Sequence, residues 1–316
     1  MSALPRHRLG RTGLDVTELC FGTSPLASMA GLYGYEVDDE RAVATVLAAF
    51  ESPVRFLDTS NGYGAHGESE RRVGEAIRRN GGLPDDYLLA TKVDPAHGSS
   101  DFSGERVRAS FAESLERLGL DRIPLLHLHD PERISFEEAM APDGPVAALV
   151  QLKEDGLVDH LGVAGGPVPL MRRFLGTGHF DVVLNHNRYT LLDRSMEPLI
   201  EDAVRLDVGV LNAAPYGGGM LSKGPATFTK YAYGERESVR QAALAMEEAC
   251  RRRDVPLAAA ALQFSTRDPR IGSTVVGFSA PERIEQTLAL RAHPVPDDLW
   301  AELDALVPPA DTWLDA

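Results

Sequence analysis

Four side chains in this sequence have the types and spacing to move a proton at a carbonyl oxygen: Asp58, Tyr63, Lys92 and His129. A carbonyl that accepts hydride needs a proton donor beside its oxygen. A free tyrosine, with a pKa of about 10, is too weak a base for the reverse reaction near neutrality. An ammonium beside it is expected to favour the phenolate, by about 1–3 pH units for close opposite charges. A carboxylate keeps that ammonium charged and oriented, and a histidine can hydrogen-bond the reacting oxygen. Singly, each of the four is an ordinary surface or capping residue. The chemistry lies in the set, so the chain must bring them together.

A second chemistry competes for the same stretch. Residues 62–67 read G-Y-G-A-H-G, which fits the dinucleotide fingerprint G-x-G-x-x-G, and Asp85 and Asp86 follow about twenty residues on, where that fingerprint wants its ribose acid. The fingerprint is weak alone. A polar turn between a strand and a helix explains the glycines as well, with His66 on that turn in solvent.

The elements that would position these residues are legible as a pattern. Short apolar runs at 19–22, 55–58, 88–91, 125–129, 160–164, 182–185, 208–212 and 273–277 alternate with helix-length amphipathic segments. Val43, Val46, Leu47 and Phe50 share one helical face, as do Val107, Phe111, Leu115 and Leu118. Ser103 is placed to cap the second helix and Gly119 to stop it, while Gly156 and Asp207 close helices just before strands. Turn residues Thr12 and Gly13 mark a short opening hairpin. Eight strands alternating with helices, with no break in composition, predict one (β/α)8 TIM barrel over residues 1–316 with an N-terminal β-hairpin. A doubly wound sheet would carry its phosphate turn on the first strand, whereas here the fingerprint follows the second. Barrels do chemistry at the C-terminal ends of their strands. Asp58, Lys92, His129 and Asn185 to Asn187 fall at such ends, and Tyr63 follows Asp58 by five residues.

Composition narrows the partners. The 316 residues carry a net charge of −15, which disfavours nucleic acid, and no 18-residue apolar window predicts a membrane span. The two cysteines, Cys20 and Cys250, make no disulfide framework, and the N-terminus has no apolar leader, so a cytoplasmic protein is expected. His127 and His129 form an H-x-H pair on one strand face, a spacing that can ligate zinc. Metal-dependent barrel hydrolases carry that pair on the first strand and add later acids. Here it lies on the fourth, and the run 273–277 ends without an acid, so no metal is expected. Trp300 is expected to anchor the last helix. Trp313 belongs to a tail that packs either on the exterior or over the mouth. Tyr231 and Tyr233 are candidates for shaping a substrate pocket.

The runs "FLDTSNGYG", "GESERRVGEAI", "LLATKV" and "LLHLHDPE" resemble the aldo-keto reductases, and the resemblance covers nearly the whole chain. "VVLNHNRYTLLDRS" and "HPVPDDLWAEL" are similar to the branch of aldose 1-dehydrogenases acting on threo- or fucose-type sugars and on pyridoxal. The resemblance implies a catalytic tetrad of Asp58, Tyr63 as acid/base, Lys92 and His129. It implies an extended NAD(P)(H) across the barrel mouth. Gly22 and Thr23 would meet cofactor or substrate at the end of the first strand. Ala164, Gly165 and His186 stand where the family usually has Ser-Asn and Gln against the carboxamide, and Ala213 where an aromatic stacks on nicotinamide. Pro215, Tyr216, Gly217, Gly218, Gly219 and Lys223 match the pyrophosphate loop. Gly277 replaces a lysine common in NADP-preferring members, while Arg283, Gln286 and Thr287 fall at the adenine side, so NAD and NADP both stay open. The implied substrate is an aldose oxidised at C1 or a pyridoxal-like alcohol, with aldehyde or ketone reduction as the alternative. A cofactor-binding regulatory subunit is a third reading. The expected state is a monomer or small homo-oligomer.

Overall fold

The computed structural model describes residues 3–316. Strands β1 (Arg6–Arg8) and β2 (Asp15–Thr17) pair antiparallel as the expected hairpin. Eight parallel strands then close into a barrel: β3 (Leu19–Gly22), β4 (Phe56–Asp58), β5 (Leu88–Val93), β6 (Ile123–His129), β7 (Val158–Gly165), β8 (Val182–His186), β9 (Gly209–Ala213) and β12 (Ser273–Gly277), the last pairing back onto β3. A small outer hairpin, β10 (Lys230–Tyr231) and β11 (Gly234–Glu235), lies in the long loop after β9. Each of the eight apolar runs is a barrel strand.

The alternation has its usual cause. Strand side chains face inward or outward by turns. The inward set, including Cys20, Phe56, Ala90, Leu125, Val182 and Leu211, fills the barrel, and a larger set packs between strands and helices. The opening hairpin plugs the barrel's N-terminal end. Leu9 is fully buried there, and its side chain sits so close to Gly209 that a Cβ would lie 2.6 Å from Leu9 Cδ1. Burying such a leucine is worth about 1.5–3 kcal/mol.

The helix signals act as expected. Ser103 Oγ accepts the Arg106 N–H at 3.3 Å, and Gly119, at φ 69°, ends the helix Gly104–Leu118. Asp207, at φ 53°, turns the chain from the helix Glu197–Arg205 into β9. Several strand boundaries differ by one or two residues, and one of them bears on the site. The run expected to stop at residue 91 continues to Val93, because Thr91, Lys92 and Val93 keep pairing with β6, Lys92 opposite His127. Lys92 is therefore inside a strand, rigidly held, and Asp94 rather than Lys92 stands just past its end.

Candidate active site

Asp58 ends β4 and Lys92 projects from β5 next to it, both side chains buried. Lys92 Nζ donates to Asp58 Oδ1 at 2.5 Å, to the Thr59 carbonyl at 2.6 Å and to the Tyr63 hydroxyl at 3.2 Å. An ammonium has three donors, so all are engaged. The same Nζ lies 4.7 Å from the Tyr63 ring centre, and the Tyr63 and His129 rings meet edge to face at 5.7 Å. The four residues thus form one cluster at the C-terminal ends of β4, β5 and β6.

The glycines around Tyr63 now have reasons. Gly62 passes so close to Asp94 that a Cβ would lie 2.6 Å from its carboxyl carbon, and the Gly62 N–H donates to Asp94 Oδ2 at 2.8 Å. Gly64 sits at φ +91°, where its Cβ would run into the Glu68 carboxylate. The loop needs glycine to present Tyr63, because a side chain at Gly62 or Gly64 would meet Asp94 or Glu68. Asp86 is at the opposite end of the barrel, paired with Arg55 at 3.0 Å, so it cannot serve as a ribose acid for this turn. His66 is exposed, as expected for a turn residue.

The electrostatics correct one expectation. Burial pushes the Tyr63 hydroxyl well above the usual tyrosine range, and Asp58, Tyr33, Asp130 and Asp94 push it further. The Lys92 ammonium donates to this hydroxyl at 3.2 Å, yet the direction of the shift stays upward. The Tyr63 hydroxyl is therefore held in its protonated form around neutrality. Burial also raises Asp58, against the pull of Lys92, and Asp58 Oδ2 has no partner in the protein. His129 differs: burial alone would lower it, but Asp130 and Asp94 more than compensate and its pKa is raised. His127 is fully enclosed, with neither ring nitrogen hydrogen-bonded, and burial and Lys92 keep it neutral. The group whose ligand atoms come within 4.8 Å of one another among the described residues is Asp130, Glu132 and His186, not the H-x-H pair.

A family model described as "Aldo/keto reductase family" matches residues 18–308. The chain belongs to the aldo/keto reductase family. It is 33% identical over 323 residues to L-galactose dehydrogenase of Arabidopsis thaliana, covering 99% of this chain and 98% of that one. It is 32% identical to D-threo-aldose 1-dehydrogenase of Pseudomonas sp, covering 92% and 94%. The holo form of an aldo-keto reductase from Bacillus halodurans superposes with a TM-score of 0.78 at 23% identity, over 98% of each chain, which speaks for the fold. This aldo-keto reductase is an oxidoreductase with a nicotinamide cofactor. No helix among the described residues is long and apolar enough to cross a membrane.

The cofactor candidates lie at the same C-terminal face. Gly22 and Gly277 are register partners at the ends of β3 and β12. The Thr23 hydroxyl is turned inward: it donates to the Asp58 carbonyl at 3.2 Å and accepts from Ser69 Oγ at 2.7 Å. Ala164 and Gly165 end β7, and the Asn185 amide nitrogen donates to the carbonyls of Gly165 and Gly166. Asn185 Oδ1 and Asn187 Oδ1 are buried without hydrogen-bond partners in the protein. His186, kept neutral at about 4 mainly by burial, accepts from the Tyr233 hydroxyl at 2.8 Å. Pro215 and Tyr216 lead into Gly217, Gly218 and Gly219, all at positive φ, with the Gly217 and Gly219 N–H groups donating to the Ala214 and Tyr216 carbonyls. Lys223 packs over Phe228. Arg283 donates to Gln286 at 3.0 Å, and Thr287 donates to the Arg283 carbonyl, so these three form one patch on the helix Glu282–Ala292.

Tyr231 is a correction. It is buried against Gly217, its hydroxyl donating to the Asn187 carbonyl at 2.7 Å, so it braces the loop instead of lining a pocket. Tyr233 is exposed beside His186. The tail closes on the mouth face. Asp315 accepts from the Val168 N–H at 2.8 Å and from Arg188 Nε at 2.7 Å, both just past strand ends. Trp300 is half-buried under Arg267 at the last helix. Sequence reading missed Asp94 and Ser60, which bind His129. The available signal was a carboxylate two residues past Lys92, on the same strand face.

Proposed function

We propose that this enzyme oxidises an aldose at C1, with Asp58, Tyr63, Lys92 and His129 as its proton-handling set. The observation that carries the reading is the triply bonded Lys92 ammonium, 2.5 Å from Asp58 and 3.2 Å from the Tyr63 hydroxyl, at the ends of barrel strands. The sugar dehydrogenases to which the chain is similar support the substrate class. When bound, the nicotinamide gives or takes the hydride. On this reading Asn185, Asn187 and His186 hold its carboxamide end, and residues 217–219 its phosphates. Lys92 holds the Tyr63 oxygen in place, Asp58 holds Lys92, Tyr63 trades the proton, and His129 orients the reacting oxygen.

A second reading, aldehyde or ketone reduction, is favoured by the raised pKa of Tyr63, since a phenol donates where a phenolate must accept. One experiment covers both. Sugars, pyridoxal, pyridoxine and simple aldehydes are screened with NAD, NADP and their reduced forms by the absorbance of reduced nicotinamide. Turnover of an aldose with oxidised cofactor supports the first reading, and turnover confined to aldehydes with reduced cofactor the second. Tyr63→Phe should abolish turnover while cofactor binding stays intact. Substantial residual turnover in that variant would remove Tyr63 from its role.

A further inference from the structure

We propose that Asp94 is a positioning residue, which with Ser60 fixes His129 as the Nδ1–H tautomer and supplies the counter-charge for an imidazolium whose Nε2 faces the reacting oxygen. The inference rests on the reading that His129 meets that oxygen.

The geometry is specific. Asp94 Oδ1 lies 2.8 Å from His129 Nδ1. An ionised carboxylate only accepts, so Nδ1 must carry the proton. Ser60 Oγ lies 3.1 Å from Nδ1 but spends its own proton on Asp94 Oδ2 at 2.5 Å, so it cannot supply the alternative donor. Asp94 is itself pinned. Its N–H donates to Ser110 Oγ at 3.0 Å, and its carbonyl accepts from Arg106 Nε at 3.0 Å. The side chain is 1% exposed. His129, Ser60 and Arg133 hold the carboxyl down at about 2 although burial would raise it, so it is ionised across the working range. The Gly62 N–H, one residue before Tyr63, donates to this same carboxylate. One side chain therefore fixes both groups that handle the proton.

Nε2 has no hydrogen-bond partner among the described residues. Its nearest acid is Asp130 Oδ1, at 3.7 Å, beyond a hydrogen bond. Asp130, on the turn after β6, and Asp94, past the end of β5, favour the charged ring. Lys92 from β5, His127 from β6 and His186 from β8 oppose it. The Asp58 and Glu132 carboxylates also face it, and Arg133 is 3.5 Å from Asp94. The Tyr63 ring meets the imidazole in a T-shaped contact at 5.7 Å, and burial holds its hydroxyl in the protonated form. A charged Nε2–H donor helps a carbonyl oxygen become an alkoxide, so reduction should fall as pH rises through the His129 pKa.

The test follows His129 directly. Long-range proton–nitrogen spectra of the unmodified protein, with the His129 signal assigned by its loss in His129→Gln, should show an Nδ1–H ring above its pKa. In Asp94→Asn the His129 titration should move down by about one unit or more. The descending limb of kcat/KM for aldehyde reduction should move with it, and kcat should fall more than KM changes. Asp130→Asn should lower the titration while leaving the tautomer unchanged. An Nε2–H tautomer in the unmodified protein would overturn the proposal, and needs no variant to fold. So would an Asp94→Asn protein whose titration and pH limb match the parent. A titration that moves while the limb stays would instead remove His129 from the reacting oxygen, a failure of the functional reading on which the catalytic half rests.

Discussion

Removing the Lys92 ammonium should cost stability in a way that depends on pH. In Lys92→Met, Asp58 loses the donor at 2.5 Å while its other oxygen already has no partner, so a buried carboxylate is left bare. Removing one member of a buried pair costs about 3–5 kcal/mol. Asp58 can avoid part of that by binding a proton, since burial already pushes its pKa above 3.8. Such a group titrates upward in the folded state, so the folded protein binds more protons than the unfolded chain and stability falls as pH rises. If Asp58 stays protonated at neutrality, the cost between its ordinary pKa and about pH 7 is about 4 kcal/mol, at about 1.4 kcal/mol per unit. Acidification toward about pH 4 should then remove most of the deficit relative to the parent. Denaturant unfolding of parent and variant at several pH values measures it. Asp58→Leu/Lys92→Met, which removes both charges, should recover about 2 kcal/mol or more, while both proteins remain inactive. A deficit that does not change with pH, or a double variant no more stable than the single, would refute the reasoning.

Three further outcomes are expected. Gly162→Ala puts a Cβ 2.0 Å from His127 Nδ1 in a fully enclosed site, so it should lower stability by about 1–3 kcal/mol in thermal or denaturant unfolding; a neutral result would mean the His127 ring does not lie over Gly162. Asp315→Ala takes the acceptor from Arg188 Nε and the Val168 N–H, costing about 1–3 kcal/mol, with faster amide exchange at Val168 and a higher KM for substrate or cofactor; unchanged exchange would show that the tail is not anchored there. Because Tyr63 is held well above its ordinary pKa, alcohol oxidation should keep rising with pH through the alkaline range, while the phenol needed for reduction persists; an ultraviolet titration placing a Tyr63-dependent phenolate near neutrality would contradict this.

The barrel was legible because its signal is local and repeated. Inward and outward side chains alternate along each strand, and caps such as Ser103 and stops such as Gly119 act within one helical turn. Boundaries were less legible. β5 runs to Val93 because β6 lies beside it with bonding groups to offer, a fact of pairing rather than composition. Asp58, Tyr63, Lys92 and His129 stood out because their types and their positions at or near strand ends coincide. The role of Asp94 was hidden, because its partners Ser60 and His129 are 34 and 35 residues away along the chain.

By itself the sequence determined the alternation of strands and helices, the opening hairpin, and which four side chains reach one rim, since each depends on period and position along the chain. Tertiary structure alone decided the protonation of the site. Tyr63 is raised because burial and the carboxylates around it outweigh the Lys92 ammonium 3.2 Å from its hydroxyl. The charge of His129 depends on Asp94 and Asp130 arriving from separate segments against the cost of burial. A pKa sums distances and solvent exclusion in three dimensions, and no spacing along the chain carries those quantities.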